Sequence, residues 1–177
     1  MARLVFPEPT ETWDPDALAQ TLATPGELFV TDNGMAHYRY VKFSSGGDSV
    51  AAVDGNICYW QDRSKGIVTS DEDDSTTGSE ADAGNVAGVF QSAPSDGHHC
   101  MILVRGEDTL NTNGDDDIAK GDAIIPCATD GVVDSIPKAA TNDGGGDAPA
   151  YFWRPIGVAT AADTDADDTV TAYVFIE

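Results

Sequence analysis

The sequence predicts a mainly β protein: a β-barrel or β-sandwich of short antiparallel strands, internally duplicated, with one short N-terminal helix. Three observations predict it. Apolar and β-branched residues alternate with polar ones in short runs, the period of a half-buried strand. Gly, Asp, Asn and Ser separate those runs, which is turn chemistry. The order of runs in the first half of the chain recurs in the second.

Residues 1–34 read as a Pro-rich arm, because Pro7, Pro9, Pro15 and Pro25 break it repeatedly. Within it, Asp14–Ala23 reads as the helix, with Asp14 as N-cap and Pro15 at the first helical position. Residues 35–177 read as the β domain. His37–Phe43 alternates apolar with polar and opens it, and Ser44–Asp48 turns the chain. Further strands are expected at Asn56–Trp60, Gly66–Thr69, Val86–Phe90, Cys100–Arg105, Ala123–Cys127, Val132–Ile136, Ala150–Trp153, Ile156–Ala159 and Val170–Ile176. The repeats are expected at about 50–107 and 117–177. Each copy runs from a Gly-Asx turn (Gly55-Asn56, Gly121-Asp122) into a strand, through a central strand, to a Gly-Val strand (Gly88-Val89, Gly157-Val158). Each closes on a long apolar strand. Asp71–Gly84, Asn111–Asp117, Thr141–Asp147 and Asp163–Asp168 read as solvated loops, since short polar residues carry no apolar area for a core.

The 31 acidic residues against 9 basic ones give a net charge of −22. That balance argues against nucleic-acid and anionic-membrane partners, which need clustered cations. It suits a cationic partner, divalent ions or a saline medium. No apolar run is long enough to span a bilayer, and Met1–Phe6 ahead of Pro7 lacks the apolar centre of a secretory signal. The expectation is a chain that stays in the compartment where it is made.

No motif assembles a catalytic centre, so the expectation is a non-enzyme without a cofactor. His98-His99-Cys100 brings only two ligands to one face of a strand, short of the three or four that zinc takes. Cys58, Cys100 and Cys127 form no CxxC and read as buried thiols. Asp163–Asp168 has a D-x-D-x-D core but no glycine at its sixth position, so it departs from a calcium loop. No G-x-S-x-G occurs, and Gly144-Gly145-Gly146 lacks the Lys of a phosphate loop. Tyr38, Tyr40, Tyr59, Trp60, Tyr151, Phe152 and Trp153 read as core aromatics, with a sugar-binding face as the alternative.

The Gly-Asx turns Gly55-Asn56 and Gly121-Asp122, the pairs Gly88-Val89 and Gly157-Val158, and the strand Val170–Ile176 carry a resemblance. So do Tyr38–Ser45, Tyr59-Trp60 and Val68–Asp71. Residues 36–177 resemble the small tailed-phage virion proteins encoded near the major capsid protein, the capsid decoration (cement) and head-fibre proteins. The resemblance implies a β-barrel or sandwich, often trimeric, bound to the outer shell of the phage head and stabilising it. Its partners would be the major capsid protein and copies of itself, and its place the virion surface after assembly in the host cytoplasm. The family has no catalytic motif to carry over. In that setting the arm, with Leu4, Val5, Phe6 and Trp13, is the candidate for docking on the shell or a neighbouring subunit. The alternatives are another virion part (head fibre, tail or adaptor) and a carbohydrate-binding or adhesion module.

Overall fold

Among the described residues eleven strands lie in one hydrogen-bonded network, built by strand pairing rather than helix packing. The structure is a computed structural model, and it describes residues 9–14, 23–31, 34–71, 85–112, 117–126, 129–135, 155–163 and 168–176. The strands are β1 (Thr12–Trp13), β2 (Leu28–Val30), β3 (His37–Phe43), β4 (Ile57–Asp62), β5 (Ile67–Thr69) and β6 (Val86–Phe90). They continue with β7 (His99–Asn111), β8 (Ala123–Pro126), β9 (Val133–Ser135), β10 (Gly157–Ala159) and β11 (Thr169–Phe175). The expected helix and the expected strand at Ala150–Trp153 lie outside the described residues.

Five strands close a barrel: β3 pairs with β5, β5 with β4, β4 with β6, β6 with β7, and β7 returns to β3. Only the β3–β5 contact is parallel. Alternation then decides which side chains enter the lumen. On β7, Cys100, Ile102 and Val104 point in, with Val41, Phe43, Cys58, Trp60, Val68 and Phe90 from the other strands. Met101 and Leu103, one step away, belong to other clusters on the outside.

The second half repeats this wiring. The strand order through the network reads β5-β4-β6-β7 and then, in mirror sequence, β11-β10-β8-β9. Cys58 faces Gly88 across β4–β6, and Ile124 faces Gly157 across β8–β10. The Gly55 N–H donates to Phe90 O and the Phe90 N–H to Asn56 O. Gly121, Ala159 and Asp122 make the same exchange. Gly66 and Gly131, which open β5 and β9, both have positive φ, at 66° and 73°. Thr112 and Val133 form a parallel bridge where Phe43 and Val68 do in the first ring. The second half is therefore a second, more lightly closed ring.

The sequence reading ended β7 at Arg105, ahead of Gly106-Glu107-Asp108. The strand instead runs through Gly106, at φ 139°, to Asn111. Its first half is the last strand of ring one. Its second half pairs with β11 from Thr169↔Asn111 to Phe175↔Arg105 and serves ring two as β3 serves ring one. The structural unit thus takes in one strand more than the repeat read from the sequence. One apolar cluster runs from the outer wall of ring one (Ile57, Tyr59, Val86, Val89, Leu103) into the interior of ring two (Leu110, Ile118, Ile124, Val170, Val174).

Within the arm, β2 pairs with β3 and β1 with β7. Trp13, Ala23 and Phe29 cover Tyr40 and Met101 on the outer wall.

Candidate functional site

The chemistry-bearing residues singled out in the sequence are mostly absorbed by packing. His99 stacks on Tyr40 at 5.2 Å with ring planes 10° apart. Burial, then Lys42 and His98, lowers its pKa. Cys100 points into ring one, where burial pushes its thiol up to about 12. Cys58 shares that lumen, donates to Gly88 O at 3.4 Å, and is likewise raised well above the ordinary thiol value by burial. Neither is a ready thiolate. Among the described residues no three His, Cys, Asp or Glu side chains stand close enough to hold a metal. Cys127, most of Asp71–Gly84 and the centres of Asn111–Asp117 and Asp163–Asp168 lie outside the described residues.

The aromatic candidates divide the same way. Tyr40, Tyr59 and Trp60 are almost fully buried and present no open sugar-binding face. Tyr151, Phe152 and Trp153 lie outside the described residues, as do Leu4, Val5 and Phe6 of the docking arm. Trp13 is described: it is half-buried, pairs with His99 in register, and sets its ring 5.8 Å from Tyr40. It anchors the arm to the barrel wall. Among the described residues no helix is long and apolar enough to cross a membrane.

What the sequence reading missed is a groove at one end of ring one, about 380 Å³ in volume. Leu28, His37, Arg39, Val104, Arg105, Phe175 and Ile176 line it. It forms where the start of β3 and the end of β11 meet side by side along β7. Arg39 is its central residue. Alternation puts it on the lumen face of β3 with Val41 and Phe43. Its guanidinium carbon lies 5.4 Å from the centre of the Trp60 ring, and that of Arg63 lies 5.9 Å from the same ring. Both are cation–π distances. Burial and the neighbouring Arg63 charge lower the Arg39 pKa. Arg105 Nε donates to Tyr173 Oη at 3.2 Å. The signal was present in the sequence: Arg39 is a cation on the apolar phase of an alternating strand. What alternation could not tell is that Arg63 and Arg105, far along the chain, come to the same end of the barrel.

No family model matches the chain, and no curated protein matches it.

Proposed function

We propose that this chain is a capsid decoration protein, a non-enzymatic component of a tailed-phage virion that binds the outer face of the head and reinforces the shell. The observation that carries the reading is the resemblance across residues 36–177, whose Gly-Asx and Gly-Val positions recur in both rings. The packing supports it. Among the described residues the side chains facing the lumen of ring one pack as one buried apolar cluster. In the sequence the strongly acidic tracts lie mostly between the described strands, and on this reading their charge would keep particles mutually repulsive. On this reading the partners are the major capsid protein and further copies of the chain, with a trimer as the expected oligomer.

The arm is the proposed docking element, through Leu4, Val5 and Phe6. Because Trp13 packs on the barrel wall, the test removes residues 1–8 and leaves Trp13 in place. The truncated chain is expected to fold as the full chain does by circular dichroism and to lose co-sedimentation with undecorated heads. Retained co-sedimentation would remove the arm from the proposal. Cryo-electron microscopy of the native particle tests the larger claim: density for this chain on a tail or fibre, or none on the head, overturns decoration.

A further inference from the structure

We propose that the groove at the Arg39 end of ring one is a docking site for an extended protein segment that presents a carboxylate flanked by apolar side chains. The inference stands apart from the virion reading, since it concerns the chemistry of the groove and not the particle to which the segment belongs.

Three features select that occupant. The first is an unanswered positive charge. Arg39 Nε is buried and has no hydrogen-bond partner. Arg39 and Arg63 crowd one Trp60 ring, and neither forms an ion pair with a described residue. This occurs in a chain whose acidic residues outnumber its basic ones by 31 to 9. An incoming carboxylate supplies the acceptor that a guanidinium fork is shaped to hold, and it offsets the repulsion between the two cations. Arg105, also on the groove wall, adds to the attraction.

The second feature is the apolar rim. Leu28 is 47% exposed and Phe175 41%, and Val30, two residues along β2 from Leu28, is 48% exposed. These large side chains flank the cationic floor and ask for apolar neighbours on either side of the carboxylate. The third is the strand edge. Among the described residues β2 pairs with β3 alone, so its outer edge offers backbone donors and acceptors beside the groove. A segment in extended form can satisfy them. A free small acid would use the floor and leave rim and edge unused.

The repeat sharpens the point. Arg39 faces Ile102 across β3–β7, and the equivalent residue in ring two, Asp108, faces Ala172. Asp108 accepts a hydrogen bond from Gln91 Nε2. One position is thus answered within the chain, and the other has no carboxylate partner among the described residues. The net charge of −22 disfavours an acidic segment away from a cationic floor of this kind.

The full chain is titrated by calorimetry with an acetylated, amidated pentapeptide that alternates Val or Leu with Asp or Glu. A matching peptide with Asn and Gln serves as comparison. The acidic peptide is expected to bind at least about tenfold more tightly, the difference one charge-assisted pair supports. Arg39→Gln should remove that advantage. If Arg39→Gln fails to fold, the exposed Arg105→Gln and Leu28→Ser variants carry the test, each weakening the acidic peptide several-fold. Equal binding of the two peptides, no binding at about 1 mM, or affinity unchanged in all three variants overturns the proposal. So does propionate binding as tightly as the peptide, which would make the groove a small-acid site. A salt-sensitive self-association that blocks the peptide would assign the groove to a second copy and overturn it equally.

Discussion

Gly88 and Gly157 show how one atom can be excluded twice in the same molecule. A Cβ on Gly88 would stand 2.8 Å from Leu103 O and 2.8 Å from Ile102 Cδ1. On Gly157 it would stand 2.9 Å from Tyr173 O. In each case a backbone oxygen of the closing strand blocks the position, and a backbone cannot step aside as a side-chain end can. Gly88→Ala and Gly157→Ala are each expected to cost about 1–3 kcal/mol, the usual range for overpacking. Gly97→Ala has open space around the new atom and a φ of 79°, so its cost is the left-handed backbone alone, about 1 kcal/mol. Urea denaturation of the three variants checks the order. A Gly88→Ala protein as stable as the parent would remove the close approach. The two glycines were legible as paired positions in the sequence, because Gly-Val recurs in both halves. Their reason was not, since the oxygen that excludes a side chain comes from a strand many residues later.

Strand β7 is the element on which the two rings depend. Its first half closes ring one against β3 along six residue pairs, and its second half opens ring two against β11 along seven. The closures differ in extent. In ring one β5 is held by β3 through Lys42↔Ile67 and Phe43↔Val68 and by β4 on its other side. Among the described residues of ring two β9 is held by β8 and the single Thr112↔Val133 bridge. Fewer ladder bonds mean easier local opening. Amides of Val133–Ser135 are therefore expected to exchange with solvent faster than those of Ile67–Thr69 under native conditions. Hydrogen exchange followed by mass spectrometry reads this directly, and equal protection would contradict the light closure of ring two. The turn-like Gly106-Glu107-Asp108 hid the length of β7 from sequence reading. Local chemistry there favours a turn, and the β11 ladder overrides it.

At the scale of the molecule the shared strand and the continuous apolar cluster bind the rings into one cooperative unit. Leu110 is fully buried in ring two, yet it belongs to the cluster that contains Tyr59 and Val89 on the wall of ring one. Leu110→Ala is expected to cost about 2–5 kcal/mol. That loss should appear at Trp60, inside ring one, as fully as in the far-ultraviolet circular dichroism. With Trp13 and Trp153 replaced by Phe, Trp60 fluorescence reports ring one alone. Coincident urea transitions shifted by the same amount fit a single unit. A Trp60 transition that stays in place while the dichroism shifts would make the rings independent. The ring interiors also differ in filling. Phe43, Trp60 and Phe90 of ring one correspond to Thr112, Pro126 and Ala159 of ring two, so a common wiring accommodates different volumes.

What the sequence by itself determined is the place of the described strands of residues 35–177 and the recurrence of their turns; β1 and β2 of the arm were not expected. His37–Phe43 and Val86–Phe90 are strands over the expected residues because alternation, β-branching and glycine act within a few residues of themselves. What only the tertiary structure decided is every pairing between distant strands. The parallel β3–β5 contact that closes ring one, the passage of β7 through Gly106 into ring two, and the meeting of Arg39, Arg63 and Arg105 at one end of the barrel all join segments far apart in the chain. Alternation tells which face a residue takes, but it carries no information about which strand lies alongside. The groove is built from such neighbours, and so it became visible only in the folded chain.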